Sequence, residues 1–287
     1  MQVFGIDVSF YQKGIDFAKA KKEGVKYAII KATEGNFVDP CFEDNYKRAK
    51  EAGLEVGAYH YLRALTPSDV KVHAKTLVSK LKGKQFGYPI FVDVEDGAVK
   101  KLTKAQVTEL VTTFCTTLES AGYWAGFYTN LDWYRNHLDG SSLAKRFSFW
   151  AAYWGKSCPF DDAQMWQFGG SVNLLKTNIV AGVICDQDYS FKDFPSLIKA
   201  KGLNGFTATP APKPAPKPTP APALEEGDKI RILKGATIYG STKAFASWVY
   251  STTYIVSGIS DKGKRIAFSS LDGIVVGATD VKFVKKV

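Results

Sequence analysis

Short apolar runs rich in β-branched and aromatic residues recur through about the first two thirds of the chain, separated by stretches in which charge and apolar residues alternate differently. Eight of them read as strands: Val3 to Val8, Tyr27 to Ala32, Val56 to Leu62, Ile90 to Glu95, Trp124 to Thr129, Phe147 to Tyr153, Gln164 to Phe168 and Val183 to Tyr189. Runs of this length, bounded by turn residues, fit buried strands. Between them, Phe42 to Ala52, Val70 to Leu81 and Lys104 to Ser120 space their apolar residues as helices do, with Ser68 and Thr103 placed as caps. Strands alternating with helices predict an α/β fold, an irregular TIM-like (β/α) barrel. The last two intervals are too short or too weakly periodic for full helices.

The pattern changes abruptly after residue 206. From Thr207 to Leu224 proline occupies every second position from 210 to 222. Such a segment favours extended polyproline II, a semi-rigid spacer of about 56 Å for its length. Beyond it, Lys229 to Ile232 alternates polar with apolar, and Asp261-Lys262-Gly263 supplies a turn between two further β-rich runs. Three parts are therefore expected: a barrel domain over 1–206, a linker over 207–224, and a small all-β barrel over 225–287. A tether of this kind raises the effective concentration of an enzyme at an immobile polymer.

Charge and cysteines narrow the function classes. Residues 1–206 hold 26 basic against 22 acidic side chains, whereas residues 225–287 hold 10 against 6, so the small C-terminal part is the more basic for its size. An anionic partner or simple solubility both account for that excess. It lacks a base-reading motif, so no nucleic-acid role is expected. Four scattered cysteines and three histidines show no metal-ligand spacing, so no metal or other cofactor is expected, and the thiols read as free and buried. No apolar stretch reaches the length of a membrane span and the N-terminus lacks a leader pattern, so neither export nor stable membrane association is expected.

Barrel geometry brings strand ends together on one rim. Those ends carry Asp7, Thr33-Glu34, Tyr59-His60-Tyr61, Asp93 and Glu95, Tyr128, Tyr153-Trp154, Trp166-Gln167, and Asp186 with Asp188. Asp93 and Glu95 stand two residues apart at the end of an apolar run, the spacing that puts both on one face of a strand. Paired carboxyl groups with different environments suit glycoside hydrolysis, and aromatic rims suit sugars.

In order and spacing, Gly5-Ile6-Asp7-Val8-Ser9, Lys31-Ala32-Thr33-Glu34-Gly35, Gly57-Ala58-Tyr59-His60-Tyr61, Asp93-Val94-Glu95, Gly126-Phe127-Tyr128, Met165-Trp166-Gln167 and the late Asp186 resemble glycoside hydrolase family 25, the Chalaropsis-type lysozymes, over residues 2 to 194. The resemblance implies cleavage of the β-1,4 bond between N-acetylmuramic acid and N-acetylglucosamine. By position, Glu95 matches the general acid, Asp93 its companion, and Asp7 and Asp186 the acids of the first and last strands. Tyr59, His60, Tyr61, Tyr128, Trp166 and Glu34 are the expected sugar contacts. The last strand departs from the family's usual Val-Asp-x-Asn by carrying Asp188, read here as a surface acid. Residues 225–287 resemble bacterial SH3-like wall-binding domains, with Tyr239, Trp248, Tyr250 and Tyr254 as contacts. The expected whole is a phage endolysin acting on Gram-positive peptidoglycan without a protein partner, held in the host cytoplasm until released to the wall. A bacterial autolysin and a non-catalytic glycan-binding protein are the alternatives.

Overall fold

The computed structural model describes residues 2–207 and 224–287. The proline-rich segment predicted at 207–224 lies outside the described residues apart from its two ends. Contacts divide the chain into two compact units, Met1–Ala211 and Pro212–Val287.

The first unit is a closed barrel of eight strands: β1 (Val3–Val8), β2 (Tyr27–Glu34), β3 (Glu55–Tyr61), β4 (Ile90–Asp93), β5 (Ala125–Asn130), β6 (Ser148–Ala152), β7 (Met165–Gly169) and β8 (Asp186–Ser190). Strands β1 to β7 pair in parallel, each with the next. Strand β8 closes the ring antiparallel to both β7 and β1, with Asp7 opposite Asp186. This reversal corrects the expectation of a last strand that runs with the others. A parallel return needs a long crossover, whereas residues between β7 and β8 form only a small hairpin, Ile179–Val180 with Val183–Ile184. The start of β8 therefore meets the ends of β1 to β7, and Asp186 still reaches the common rim.

Six helices surround the strands: α1 (Phe17–Lys22), α2 (Phe42–Glu51), α3 (Pro67–Leu81), α4 (Lys104–Ser120), α5 (Gly140–Arg146) and α6 (Phe194–Lys201). Thr103 caps α4 through a reciprocal bond with Gln106, as expected. For α3 the cap is Thr66 and not Ser68, because Pro67 occupies the first turn, where its missing N–H costs nothing. Outward strand residues such as Ile30, Val56, Val92 and Phe127 pack on Phe42, Leu77, Leu110 and Phe114 of the helices. Inside the barrel, Tyr27, Ile29, Phe91, Trp150 and Met165 form a second core. Strand β4 ends at Asp93, two residues earlier than predicted, so Glu95 stands in the loop beyond it. Cys41, Cys115 and Cys185 are buried, Cys158 is half-buried, and all four are free.

The second unit is an antiparallel sheet of β9 (Lys229–Ile232), β10 (Thr253–Ser260), β11 (Arg265–Ser269), β12 (Val275–Asp280) and β13 (Val284–Lys286), in the order β12-β11-β10-β9-β13. Ile230, Ile232, Val256, Ile266 and Phe268 fill its core. The hairpin turn falls at Asp261-Lys262-Gly263, all three with positive φ, the backbone twist that tight hairpins select.

One side chain ties the lower end of the first barrel. Asn204 is fully buried, in a left-handed conformation with φ of 56°. Its Nδ2 donates to the carbonyls of Phe86 and Tyr88 at 3.1 and 2.8 Å, and its Oδ1 accepts from the Trp124 amide at 2.7 Å. Asn204→Ala leaves those backbone groups unpaired in the interior and is expected to cost about 3 kcal/mol, a fall of roughly 10 °C in Tm. Thermal melts followed by circular dichroism read this directly; a change within 1 or 2 °C, on the order of an ordinary surface substitution, contradicts it.

Candidate active site

Successive side chains of a strand point to opposite sides, and in this barrel the inward set includes nearly every acid of interest. Asp7 on β1, Asp93 on β4, and Asp186 and Asp188 on β8 all turn inward at the upper rim, with Tyr59, Tyr128, Trp150 and Gln167 around them. Asp7 is 6% exposed, Asp93 5% and Asp188 0%. Glu95, just past β4, is exposed at the wall of a cleft of about 360 Å³, lined also by Tyr128, Asn130, Tyr153, Trp154 and Gln167.

Gln167 organises the floor of this cleft. Its Oε1 accepts from the Tyr128 hydroxyl at 3.0 Å and from Trp154 Nε1 at 3.1 Å, and its Nε2 donates to Asp7 Oδ2 at 2.9 Å. Trp150 Nε1 donates to Asp188 Oδ1 at 2.8 Å. Gly170, immediately after β7, leaves room for two of these groups: a Cβ there would lie 1.9 Å from Asp186 Oδ1 and 2.8 Å from the Trp154 ring. Asp93 Oδ1 is buried without a hydrogen-bond partner among the described residues.

Burial dominates the electrostatics. It raises Asp7 and Asp188 well above the usual carboxylate range, and the negative charge of Asp186 adds to both. Asp93 is raised by burial and by Glu95, against the pull of Lys31. Glu95 is raised by loss of water and then by Asp186, again opposed by Lys31. Asp186 is pushed up to about 6 by burial. Among the described residues no cluster of three His, Cys, Asp or Glu side chains is arranged to hold a metal ion.

The other expected contacts divide. Tyr59 and Tyr128 face the interior, Tyr59 packing edge-on against Trp150. Tyr61 lies at the rim between Lys31 and Arg63. Glu34 is bound by Lys31 and by Arg63, whose Nε lies 2.7 Å from Oε1; burial raises its pKa, but these two cations bring it below the ordinary value. His60 does not join the cleft: flanked by inward tyrosines, it points outward, bonds Thr33 Oγ1 at 2.7 Å and stacks on Phe114 of α4. Trp166 is also outside, packed with Phe168 and Tyr189 while its Nε1 donates to the Tyr153 carbonyl at 2.7 Å. Asp188 is no surface acid; it is sealed in the floor. Sequence reasoning set Trp154, Gln167 and Asp188 at strand ends but assigned none of them, nor Lys31, a part in the site. The rule that paired Asp93 with Glu95 applies equally to Asp186 and Asp188 and was the available signal.

In the second unit, Trp248 is 57% exposed, and Tyr239 is half-buried with its hydroxyl bonded to Asp261. Tyr250 is half-buried, holding the Ala236 carbonyl and the Phe245 amide. Tyr254 is a core residue, 1% exposed, and offers no surface for a ligand.

Residues 6–176 match the family model of glycosyl hydrolases family 25. The chain belongs to that family. The match ends before β8, so Asp186 and Asp188 are joined to the site by the barrel's closure. The chain is 34% identical over 174 residues to the autolytic lysozyme of Clostridium acetobutylicum, across 59% of this chain and 52% of that one. It is 32% identical over 203 residues to Lysozyme M1 of Streptomyces globisporus, across 65% and 66%. The match thus spans about half the length of the first of these relatives. The bacterial lysozyme structure from Streptomyces coelicolor superposes with a TM-score of 0.60 at 28% identity, covering 71% of this chain and 97% of that one.

The acids of this family 25 site act against the fold's stability. A carboxyl whose folded pKa is raised contributes stability below its unfolded value and loses it as pH rises through the folded value. For Asp186 that loss begins in the ordinary carboxylate range and is complete once pH has passed about 6. Melts between about pH 4 and pH 7 should show Tm falling as pH rises, with Asp186→Asn reducing the fall; an equal fall in the variant contradicts the assignment.

Proposed function

We propose that the barrel unit is a muramidase that cleaves the β-1,4 bond between N-acetylmuramic acid and N-acetylglucosamine in peptidoglycan, with Glu95 as general acid. The observation that carries this reading is the asymmetry of the acids: Asp7, Asp93 and Asp188 are enclosed in the floor and Asp186 is half-buried, whereas Glu95 is exposed in the cleft wall with its pKa raised. A neutral carboxyl in that position can protonate a leaving glycosidic oxygen, the step that general-acid catalysis requires. Membership of family 25 and the lysozyme names of the relatives support the substrate.

Asp93 complements Glu95. Its unpartnered Oδ1 suits acceptance of a hydrogen bond from the N–H of the substrate's acetamido group, which orients the acetamide oxygen toward the anomeric carbon. Cleavage then proceeds by participation of that oxygen, with Glu95 donating to the departing sugar and afterwards taking a proton from water. Tyr59 and Tyr128 border this pocket, and Trp154, fixed by Gln167, offers an apolar face beside it.

For the second unit we propose an SH3-like wall-binding role. Its antiparallel five-stranded sheet, basic balance and exposed Trp248 support it. Tyr254, being core, is not among the contacts. The arrangement of catalytic domain, linker and binding domain over 1–206, 207–224 and 225–287 suits lysis of a Gram-positive host by a phage, the protein remaining in the host cytoplasm until released to the wall. A bacterial autolysin uses the same chemistry.

Digestion of purified wall tests the reading. The intact protein should expose N-acetylmuramic acid at new reducing ends, and Glu95→Gln should lower the rate by about 10³-fold, the scale of a lost general acid, while the variant still sediments with the wall. N-acetylglucosamine at the reducing ends, or undiminished cleavage by the variant, overturns it.

A further inference from the structure

Asp188 presents a problem that its neighbours solve in only one way. Its Oδ1 accepts from Trp150 Nε1, but its buried Oδ2 meets no N–H or O–H among the described residues. What it does face is the carboxyl of Asp7: Asp188 lies opposite Gly5, which has no side chain, and so beside Asp7 on the same inward face of the neighbouring strand, both buried. Two carboxylates offer each other only lone pairs, so such a contact is repulsive until one of them carries a proton.

We infer that Asp7 and Asp188 hold a single proton between them at the floor of the cleft, with Asp7 as donor and Asp188 as carrier of the one negative charge. The direction of the surrounding hydrogen bonds supports this assignment. Tyr128 and Trp154 both donate to Gln167 Oε1, which leaves the Gln167 Nε2 to donate to Asp7 Oδ2. A proton on Asp7 is then left for Asp188, whose Oδ1 already accepts from Trp150 and whose Oδ2 is the unpartnered acceptor. Every donor in this chain is oriented toward Asp188, the arrangement in which successive bonds polarise one another favourably.

The remaining groups facing the pair are neutral or acidic: Tyr27 from β2, Tyr59 from β3, Tyr128 from β5, and Asp186 from β8. Lys31 of β2 instead opposes the charges of Asp93 and Glu95. Burial raises both acids of the pair, and their mutual hydrogen bond draws Asp7 further up and Asp188 back down. Asp188 is thus a positioning residue. It keeps Asp7 neutral, so the floor beneath Glu95 and Asp186 bears one charge fewer than its carboxyl groups would suggest. The catalytic consequence rests on the proposed function; the shared proton does not.

Asp188→Asn separates the two. An asparagine amide donates to Asp7, leaves Asp7 ionised and removes the shared proton. Infrared difference spectra at pH 7 should show the neutral-carboxyl absorption of the wild-type protein reduced by one carboxyl's contribution in Asp188→Asn, and by the same component in Asp7→Asn, whose amide donates to Asp188. Neutral-carboxyl absorption that neither substitution diminishes overturns the inference. If wall is not cleaved at all while the band behaves as expected, the muramidase reading fails and the shared proton stands.

Discussion

Carboxyl groups withdrawn from water are the constraint on which this site depends. Asp7, Asp93 and Asp188 occupy the upper layer of the barrel interior with almost no exposure, where most barrels place apolar side chains. Isolated charges at such depth are expensive, and the response is to share protons, accept strong donors, or remain neutral. The barrel supplies donors from the indole of Trp150 and the amide of Gln167. What it does not supply is a cation for each acid: Lys31 is set toward Asp93 and Glu95 and is itself paired with Glu34. At the cleft wall it is loss of water, and then the charge of Asp186, that inclines the Glu95 carboxyl to hold its proton.

The closing strand makes this layer possible. Because β8 runs against its neighbours, its first residues sit beside the last residues of β1 and β7. Asp186 and Asp188 thereby enter the same rim as Asp7. Gly170 completes the arrangement, since any side chain there would displace the Asp186 carboxyl or the Trp154 ring. The site is a consequence of strand direction as much as of residue type.

Much of the fold was legible in the sequence because its signals are local. Eight apolar runs became the eight barrel strands, and the periodic stretches became α2, α3 and α4. The strand end at Asp93, the Thr66 cap and the reversal of β8 depended on pairing partners and chain direction, which a single sequence does not carry. Within the site, alternation alone separates success from error. Tyr59 and Tyr61 face inward and His60 outward; Met165 and Gln167 face inward and Trp166 outward. Applying period two to these triplets, as was done at Asp93 and Glu95, removes His60 and Trp166 from the candidates and adds Gln167 and Asp188. The core position of Tyr254 follows similarly from its place opposite Ile230 in the small sheet. Lys31 and Trp154 needed the folded rim itself, for nothing local distinguishes a lysine in a strand or a tryptophan after one.

The central claim is that loss of water and the charge of Asp186 raise the pKa of Glu95 at the cleft wall. Carbon-detected NMR titration of the Glu95 side chain measures this directly, in the wild-type protein and in Asp186→Asn. The account predicts a midpoint above that of an ordinary glutamate, moving down when the neighbouring charge is removed, because burial and Asp186 both raise it. A Glu95 that titrates as an ordinary glutamate and is indifferent to Asp186 would contradict it.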